Sequence, residues 1–219
     1  MNLQQLVIND VSPISMTDSV KEVQHIFSQL TYSHIPVMDE NGVYVGCLSE
    51  NDALCFEKHQ TVEEIKYSLD AFHVTVETHW LDVLEAIAQH QCNIMPVLNE
   101  KKQYIGYYEL KDVMEIFNDA PFMYEAGAVI VVEKGKSDYS FSEISQIVET
   151  NDSKIQGMFV SGYRDHFTEI TLKVSPQNLN AILQTFRRYS YEIKSAAEED
   201  TYLDALKERS DYLDKYLNI

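Results

Sequence analysis

The sequence predicts an α+β fold in which two similar units of about sixty residues pack together and a different mixed unit follows. The first observation is a repeat: residues 35–37, Ile-Pro-Val, return sixty positions later as Met-Pro-Val at residues 95–97. The second is that Gly46 returns as Gly106 at the same spacing. The third is that strand-like and helix-like segments alternate after the repeats without copying them.

The first repeat begins with extended residues 14–16 and a helix that Thr17 or Ser19 caps. The apolar face of this helix is formed, at helical spacing, by Val20, Val23, Ile26, Phe27 and Leu30. Residues 35–38 and 43–48 are predicted to be two strands joined by a tight Asn-Gly turn. A second helix follows directly.

The second repeat follows the same order. Residues 74–76 are extended, and Thr78 is predicted to cap the next helix. The residues expected to face inward on that helix are Leu81, Leu84, Ile87 and Ala88. Residues 95–98 and 104–108 form two strands, and Asp112 begins the last helix. Two copies in one register predict two similar folding units, and binding sites favour the clefts between such units.

A hydroxyl and a carboxylate mark the second helix of the first repeat. Ser49 is predicted to cap this helix, whose first turn holds Asp52. Unpaired N–H groups and the helix dipole favour a phosphate at that end, and the Asp52 carboxylate is able to accept hydrogen bonds from two ribose hydroxyls. Pro36 interrupts the hydrogen bonding of its strand. Backbone groups near the cleft are therefore expected to meet an adenine edge.

This pattern, an apolar-Pro-Val strand, a strand ending in glycine and a Ser/Thr-x-x-Asp helix start, resembles the CBS domain, named after cystathionine β-synthase. The resemblance covers about residues 7–118. It implies that an adenosine-containing ligand such as AMP, ATP or S-adenosylmethionine binds between the repeats and that no cofactor is required. The candidate ligand-binding residues are Ile35, Pro36, Ser49, Asp52, Met95, Pro96, Lys111 and Asp112. No residue is assigned to catalysis or to a metal.

The two copies differ where a phosphate would lie. The first has Asn51 directly before its aspartate and keeps the Ser49 hydroxyl, whereas the second has Lys111 but replaces the hydroxyl by Glu109. A carboxylate at that place repels phosphate. We therefore expect the first site, with Ser49 and Asp52, to be the better nucleoside pocket. The alternative is a structural or interaction module whose clefts are vestigial.

The last third of the chain is predicted to have the order β-α-β-β-α-β, a ferredoxin-like unit. Strands are expected at residues 128–133, 155–160, 167–174 and 189–193. The apolar helix faces are formed by Phe141, Ile144, Ile147 and Val148 and by Leu179, Ile182, Leu183 and Phe186. Residues 162–165 are the expected middle turn, and Pro176 suits the first turn of the second helix.

This predicted unit resembles the ACT domain, a small regulatory fold that often binds amino acids. Residues 141–144 match the start of the family's first helix. Residues 137–140 lack the glycine and proline found in this loop of amino-acid-binding members, although Gly135 lies a little upstream. An amino-acid sensor and a unit for docking or dimerisation therefore remain as two hypotheses.

The predicted domains are CBS repeat 1 (residues 1–60), CBS repeat 2 (61–120), the ACT-like domain (121–197) and a C-terminal helix (198–219). The apolar stripe of that helix consists of Leu203, Leu206, Leu213 and Leu217. We expect the stripe to dock on a domain or to pair in a dimer. Because CBS pairs usually associate further into flat dimers, the resemblance implies a regulatory homodimer, for which an unidentified protein partner is one option. The domain order is similar to that of the acetoin utilization regulatory proteins of bacteria.

The composition excludes several functions. The formal net charge of −18 opposes binding to nucleic acid and to anionic membranes. No apolar run approaches the ~20 residues that span a bilayer, and the N-terminus lacks the positive charge of a signal peptide. Three cysteines without metal-ligand spacing are typical of a reduced, cytoplasmic protein. Because no nucleotide loop or HExxH motif occurs, we expect a binding protein and not an enzyme.

Overall fold

The computed structural model describes residues 3–196 and divides into two compact units between Asn118 and Asp119. The first unit contains both repeats. The elements of the first repeat are β1 (Ile14–Ser15), α1 (Val20–Gln29), β2 (His34–Met38), β3 (Tyr44–Ser49) and α2 (Glu50–Cys55). Those of the second are β4 (Val74–Thr75), α3 (Trp80–His90), β5 (Ile94–Leu98), β6 (Tyr104–Glu109) and α4 (Leu110–Met114). Turns of 3-10 helix lie at Leu3–Leu6, Glu63–Ser68 and Glu115–Asp119.

The sheets of the two repeats share one topology. In each, the first strand is parallel to the middle strand and the middle strand is antiparallel to the third, so the orders are β1-β2-β3 and β4-β5-β6. Val37 pairs with Gly46 and Val97 pairs with Gly106, and both hairpins then shift register at a β-bulge. The two sequence copies therefore fold alike, as predicted.

A glycine lies at each bulge, and another segment of the chain runs close beside it. Ile8 exchanges backbone hydrogen bonds of 3.0 and 2.9 Å with Tyr107. A Cβ on Gly106, whose φ is +148°, would lie 2.3 Å from the Ile8 carbonyl oxygen. In the first repeat, the carbonyl of Asp70 would lie 3.1 Å from a Cβ on Gly46. The space beside the glycine is thus smaller in the second repeat than in the first.

Local hydrogen bonds set the helix starts. Ser19 caps α1 in a capping box with Glu22. The prediction that Thr78 caps α3 is wrong. The cap is His79, whose side chain accepts an amide of the first turn at 3.3 Å, while the Thr78 hydroxyl accepts the amide of Thr75 at 3.0 Å.

Each repeat has its own hydrophobic core. The buried residues of α1 are Val20, Val23 and Phe27. On α3, Val83 and Ile87 are buried, whereas Leu84 is half-buried and Leu81 and Ala88 are exposed. The expectation for Leu81 and Ala88 is therefore wrong, because the pair one turn apart, Val83 and Ile87, faces the sheet.

The two repeats meet through equivalent residues. The amide of Ser33 donates to Asn93 Oδ1 at 2.8 Å, and the amide of Asn93 donates to Ser33 Oγ at 2.9 Å. The rings of Tyr44 and Tyr104 stack with centroids 6.2 Å apart and an interplanar angle of 10°. Both pairs are separated by sixty positions, so the centre of the junction is close to twofold symmetric.

The second unit alternates helices and strands. Its elements are α5 (Pro121–Tyr124), β7 (Ala128–Gly135), α6 (Phe141–Glu149), β8 (Ile155–Arg164), β9 (Phe167–Val174), α7 (Leu179–Arg188) and β10 (Glu192–Ala196). The sheet has the order β10-β7-β9-β8 and is antiparallel throughout. The inner faces of α6 and α7 share one core with alternate strand residues such as Ile130, Val132 and Leu172. After α5, the order β-α-β-β-α-β agrees with the prediction.

Three boundaries of the second unit differ from the predictions. β8 runs to Arg164, which still pairs with β9, so the predicted turn at residues 162–165 is mostly strand and the chain reverses at residues 165–166. A two-residue turn allows the ladder to extend further. α7 begins at Leu179 and not at Pro176, and β10 begins later than predicted.

Among residues 3–196, no helix is long and apolar enough to cross a membrane. The predicted C-terminal helix and its leucine stripe lie outside the described residues.

Candidate functional site

Four of the eight predicted ligand-binding residues lie on the middle strands of the two sheets. They are Ile35 and Pro36 on β2 and Met95 and Pro96 on β5. All four are buried, and Ile35 and Met95 have no exposed surface. The side chains of Ile35 and Met95 belong to the hydrophobic cores of the two repeats. The structure therefore does not bring these two side chains to an accessible surface.

The two remaining predicted residues of the first repeat meet at the start of α2. Ser49 Oγ donates to Asp52 Oδ2 at 2.5 Å and accepts the Asp52 amide at 3.0 Å, so Ser49 caps the helix as predicted. Both residues are half-buried. Within the described residues, Oδ1 of Asp52 accepts no hydrogen bond. We call this pair the first site.

A neutral aromatic group lies beside the first site. His34, which pairs across the sheet with the residue that caps α2, is buried and meets Phe72 edge to face at 5.4 Å. Phe72 in turn stacks on His90 with centroids 4.3 Å apart. Burial lowers the pKa of His34, although the charges of Asp70 and Asp52 oppose this shift. The first site therefore combines carboxylates with an uncharged imidazole at neutral pH.

The start of α4, which we call the second site, is built differently. Glu109 occupies the cap position but makes no capping hydrogen bond. Its Oε1 accepts the Tyr32 hydroxyl at 2.8 Å and its Oε2 lies 2.5 Å from Lys111 Nζ. Burial, together with the charge of Glu109, raises the pKa of Asp112, while Lys111 lowers it. Lys111 is thus paired with Glu109, and a phosphate would have to compete with this carboxylate for the lysine.

Four side chains form a hydrogen-bonded cluster at the second site, the cross-repeat clamp: Asp10, Tyr32, Tyr107 and Glu109. The Tyr107 hydroxyl donates to Asp10 Oδ1 at 2.5 Å, and the two tyrosine oxygens lie 3.0 Å apart. The rings of Tyr32 and Tyr107 meet edge to face at 5.5 Å. Because Tyr32 precedes β2 while Tyr107 and Glu109 lie on β6, the clamp joins the first repeat to the second.

Charge and burial stabilise the protonation states of the clamp. The hydrogen bond from Tyr107 holds the pKa of Asp10 below its usual value. Burial raises the pKa values of Tyr32 and Tyr107. The hydrogen bond to Glu109 raises the pKa of Lys111. At neutral pH the hydroxyls therefore stay protonated, Asp10 stays charged and Lys111 stays cationic.

The first site has no counterpart of the clamp. Two backbone bridges, Ile8 with Tyr107 and Asp70 with Cys47, occupy equivalent places in the two repeats. The segment that contains Asp10 therefore corresponds to the segment that contains Phe72. The corresponding residues at the first site are Cys92 for Tyr32, Cys47 for Tyr107, Ser49 for Glu109 and Phe72 for Asp10. Burial raises the pKa of Cys47 to about 12 and that of Cys92 to about 11. These thiols stay protonated, so neutral groups at the first site stand where the second site has its hydrogen-bonded network.

The repeated pattern marks Glu109 and Lys111 as departures but predicts neither Tyr32 nor Asp10 as site residues. Both lie outside the repeated motif, and Tyr32 reaches a partner 77 positions away. One signal was available: position 107 holds a tyrosine where the first copy has Cys47.

A surface groove of about 920 Å³ lies away from both sites, in the first repeat. Its walls include Lys21, His25, Leu54 and Lys58, all of them exposed. Because neither the Ser49–Asp52 pair nor the residues at the start of α4 line this groove, we keep the candidate site at the helix starts. Among the described residues, no group of three or more His, Cys, Asp or Glu side chains is arranged to hold a metal ion.

Known proteins share the architecture of the first unit. The CBS domain family model matches residues 3–57 and 62–119. Inosine-5'-monophosphate dehydrogenase of Methanocaldococcus jannaschii is 23% identical over 112 residues, which are 51% of this chain and 22% of the dehydrogenase. The chain therefore spans about a fifth of the length of that relative.

Two solved structures illustrate the similarity. A CBS domain pair/ACT domain protein of Thermotoga maritima is 22% identical with a TM-score of 0.49, covering 55% of this chain and 98% of that chain. The cytosolic domain of the Mg²⁺ channel MgtE in complex with ATP is 23% identical with a TM-score of 0.44, covering 51% of this chain and 46% of that chain. Since the family model matches more than half of its residues, this chain belongs to the CBS domain family and carries two copies of the domain.

Proposed function

We propose that this chain is a regulatory protein that binds an adenosine-containing ligand at the first site and transmits the bound state through conformation or assembly. The observation that carries the proposal is the Ser49–Asp52 pair at the start of α2, where Oδ1 of Asp52 is unbonded among the described residues. Membership of the CBS family supports the same assignment. We propose no catalytic role.

The chemistry of the first site favours a nucleoside with little negative charge. Asp52 Oδ1 is a ready acceptor for a ribose hydroxyl, and the start of α2 contributes a partial positive charge. The carboxylates of Asp52 and Asp70 lie near a neutral His34, so a polyphosphate would meet repulsion. Among the candidates AMP, ATP and S-adenosylmethionine, we therefore expect ATP to bind most weakly.

The first site is connected to the repeat junction through one residue. The amide of Glu50, the first residue of α2, donates to the Ser33 carbonyl at 2.9 Å. Ser33 also exchanges hydrogen bonds with Asn93 of the other repeat. A ligand that shifts the start of α2 would thus act on the junction. Such a ligand shifts the equilibrium between two arrangements of the repeats only if it binds one arrangement more tightly than the other.

Thermal unfolding of the full chain tests the proposal. Adenosine, AMP, ATP and S-adenosylmethionine are each added, with cytidine as a matched nucleoside control. Adenosine and AMP are expected to raise the Tm, since a ligand at 100 times its Kd stabilises the folded state by about 2.7 kcal/mol. An unchanged Tm with all four adenosine compounds would contradict the proposal.

An interaction module with vestigial clefts is the second candidate function. The observation that favours it is the clamp, because Glu109 at the second site already binds both Lys111 and Tyr32. This candidate predicts that no nucleoside changes the Tm while a protein partner still binds.

We further propose that residues 121–197 are an ACT-like domain with a ferredoxin-like fold, following CBS domains at residues 1–60 and 61–120. The order β-α-β-β-α-β and the sheet order β10-β7-β9-β8 support this assignment. In the loop before α6, the amides of Asp138 and Tyr139 donate to the Gly135 carbonyl at 2.8 and 3.2 Å, so they are already bonded within the loop. We therefore favour assembly over amino-acid sensing for this domain.

The assembly we propose is a cytoplasmic homodimer that acts on a protein partner, in line with the similarity in domain order to the acetoin utilization regulatory proteins. Sedimentation equilibrium of the full chain tests the dimer. The expected mass is twice the 25.3 kDa of one chain, and a single-chain mass at micromolar concentration would contradict it.

A further inference from the structure

We propose that Tyr32 closes the second site, so that each chain has one working ligand site. This inference rests on the proposed function, adenosine binding at the first site, and identifies the residue that prevents the second copy from acting in the same way. Tyr32 belongs to the first repeat, yet its hydroxyl binds the residue at the cap position of α4.

Apart from Asp112, whose carboxylate accepts no hydrogen bond within residues 3–196, the polar groups of the second site already bind one another. Glu109 accepts Tyr32 through Oε1 and pairs with Lys111 through Oε2, so both carboxylate oxygens are engaged. The Tyr107 hydroxyl is directed at Asp10. A ligand that approaches the start of α4 must therefore separate the Tyr32 and Lys111 contacts with Glu109. The first site requires no such exchange, since the hydroxyl of its cap residue, Ser49, bonds to Asp52 of its own helix and, within residues 3–196, to no side chain of the other repeat.

The tyrosine ring adds a steric barrier. Tyr32 is half-buried and packs edge to face on Tyr107, so it is held between the repeats by its ring as well as by its hydroxyl. The corresponding residue of the other repeat, Cys92, is buried, and its Sγ points at the Ile87 carbonyl oxygen 3.8 Å away. A short thiol directed into its own repeat does not cover the first site. Tyr32 thus makes the two sites unequal.

Counting bound adenosine by equilibrium dialysis tests the closure. The proteins compared are the wild-type chain, Tyr32→Ser and the matched control Tyr67→Ser, a tyrosine that is 77% exposed. We expect one adenosine per chain for the wild type and the control and two for Tyr32→Ser. Adding Asp112→Asn to Tyr32→Ser should return the number to one. Two sites in the wild type, or one in a folded Tyr32→Ser chain, would overturn the closure.

A second measurement tests the closure without any ligand. Tyr32→Phe keeps the ring, and Glu109→Met keeps about the length of the side chain while removing both acceptor oxygens, so both variants are expected to fold. Each should lower the Tm, and the double variant should lower it by less than the sum of the two shifts, because both single variants remove the same hydrogen bond. Additive shifts would overturn the closure. If neither the wild type nor any variant binds adenosine, the proposed function is contradicted. The Tm comparison then decides whether Tyr32 closes the second site.

Discussion

At the start of α2 a serine and an aspartate bond each other, whereas at the start of α4 a glutamate caps no amide and binds a lysine of its own helix and a tyrosine of the other repeat. The backbone around these two sites is nearly the same: the strand pairings, the bulges and the junction residues Ser33 and Asn93 are equivalent. The comparison teaches that the repeated scaffold constrains the backbone and leaves the site side chains free to diverge.

The largest difference between the repeats is expected at the bulge glycines. Gly106→Ala should lower the free energy of unfolding by about 3 kcal/mol or more, because its Cβ would overlap the Ile8 carbonyl oxygen and its φ of +148° disfavours other residues. Gly46→Ala should cost about 1 kcal/mol, since a contact of 3.1 Å requires only a small shift. Urea unfolding of both variants measures this, and equal losses would show that the repeats are equally tight.

The shared junction should respond more moderately. Asn93→Ala removes the side chain that accepts the Ser33 amide and donates to the Thr31 carbonyl at 2.7 Å. The expected loss is about 2 kcal/mol, since an amide of the other repeat loses its partner. Asn41→Ala, in an exposed turn, is the control and should change the free energy of unfolding by less than about 0.5 kcal/mol. Equal effects of the two variants would mean that Asn93 does not hold the repeats together.

The first site should lose stability between pH 7 and pH 5 because of its buried histidine. Burial lowers the pKa of His34 below its ordinary value of 6.5, so the unfolded chain takes up a proton before the folded chain does. Stability should therefore fall as the pH decreases below about 6.5. His34→Gln should lose less stability between pH 7 and pH 5, as measured by urea unfolding at each pH. Parallel curves for the two proteins would rule out His34 as the cause.

The smallest effect is expected in the clamp, at acid pH. The Tyr107 hydrogen bond keeps the pKa of Asp10 below its ordinary value of 3.8, so its contribution to stability is present above that value and is lost as the pH falls through the lowered pKa. The wild type should exceed Tyr107→Phe in stability at pH 7, and the gap should narrow in acid. A gap that does not change with pH would assign the loss to the hydroxyl alone and not to charged Asp10.

Local patterns predict the scaffold of this chain because its signals are local. The strands at residues 35–38 and 95–98 and the Ser49 cap depend on neighbouring residues, and the structure confirms them. The rotation of α3 and the middle turn of the second unit are wrong because tertiary pairing decides them. The ligand role of the eight candidate residues remains a prediction.

Local sequence patterns do not predict the clamp, for a physical reason. Tyr32 gains its role from a carboxylate 77 positions away, and Asp10 from a tyrosine 97 positions away. Neither contact follows from a residue's own helix or strand. Comparing the two copies shows that Glu109 departs from the pattern, but the partner that compensates for it becomes visible only when the repeats are packed together.

Calorimetric titration of adenosine into Asp52→Asn and Asp112→Asn tests the central claim, that the first site binds the ligand. The two substitutions are the same change at equivalent positions. Asp52→Asn is expected to weaken binding by about tenfold or more, since a hydrogen bond to a charged group contributes about 1.5 to 3 kcal/mol. Asp112→Asn is expected to leave the Kd unchanged. Unchanged binding by Asp52→Asn, or equal weakening in both variants, would contradict the account.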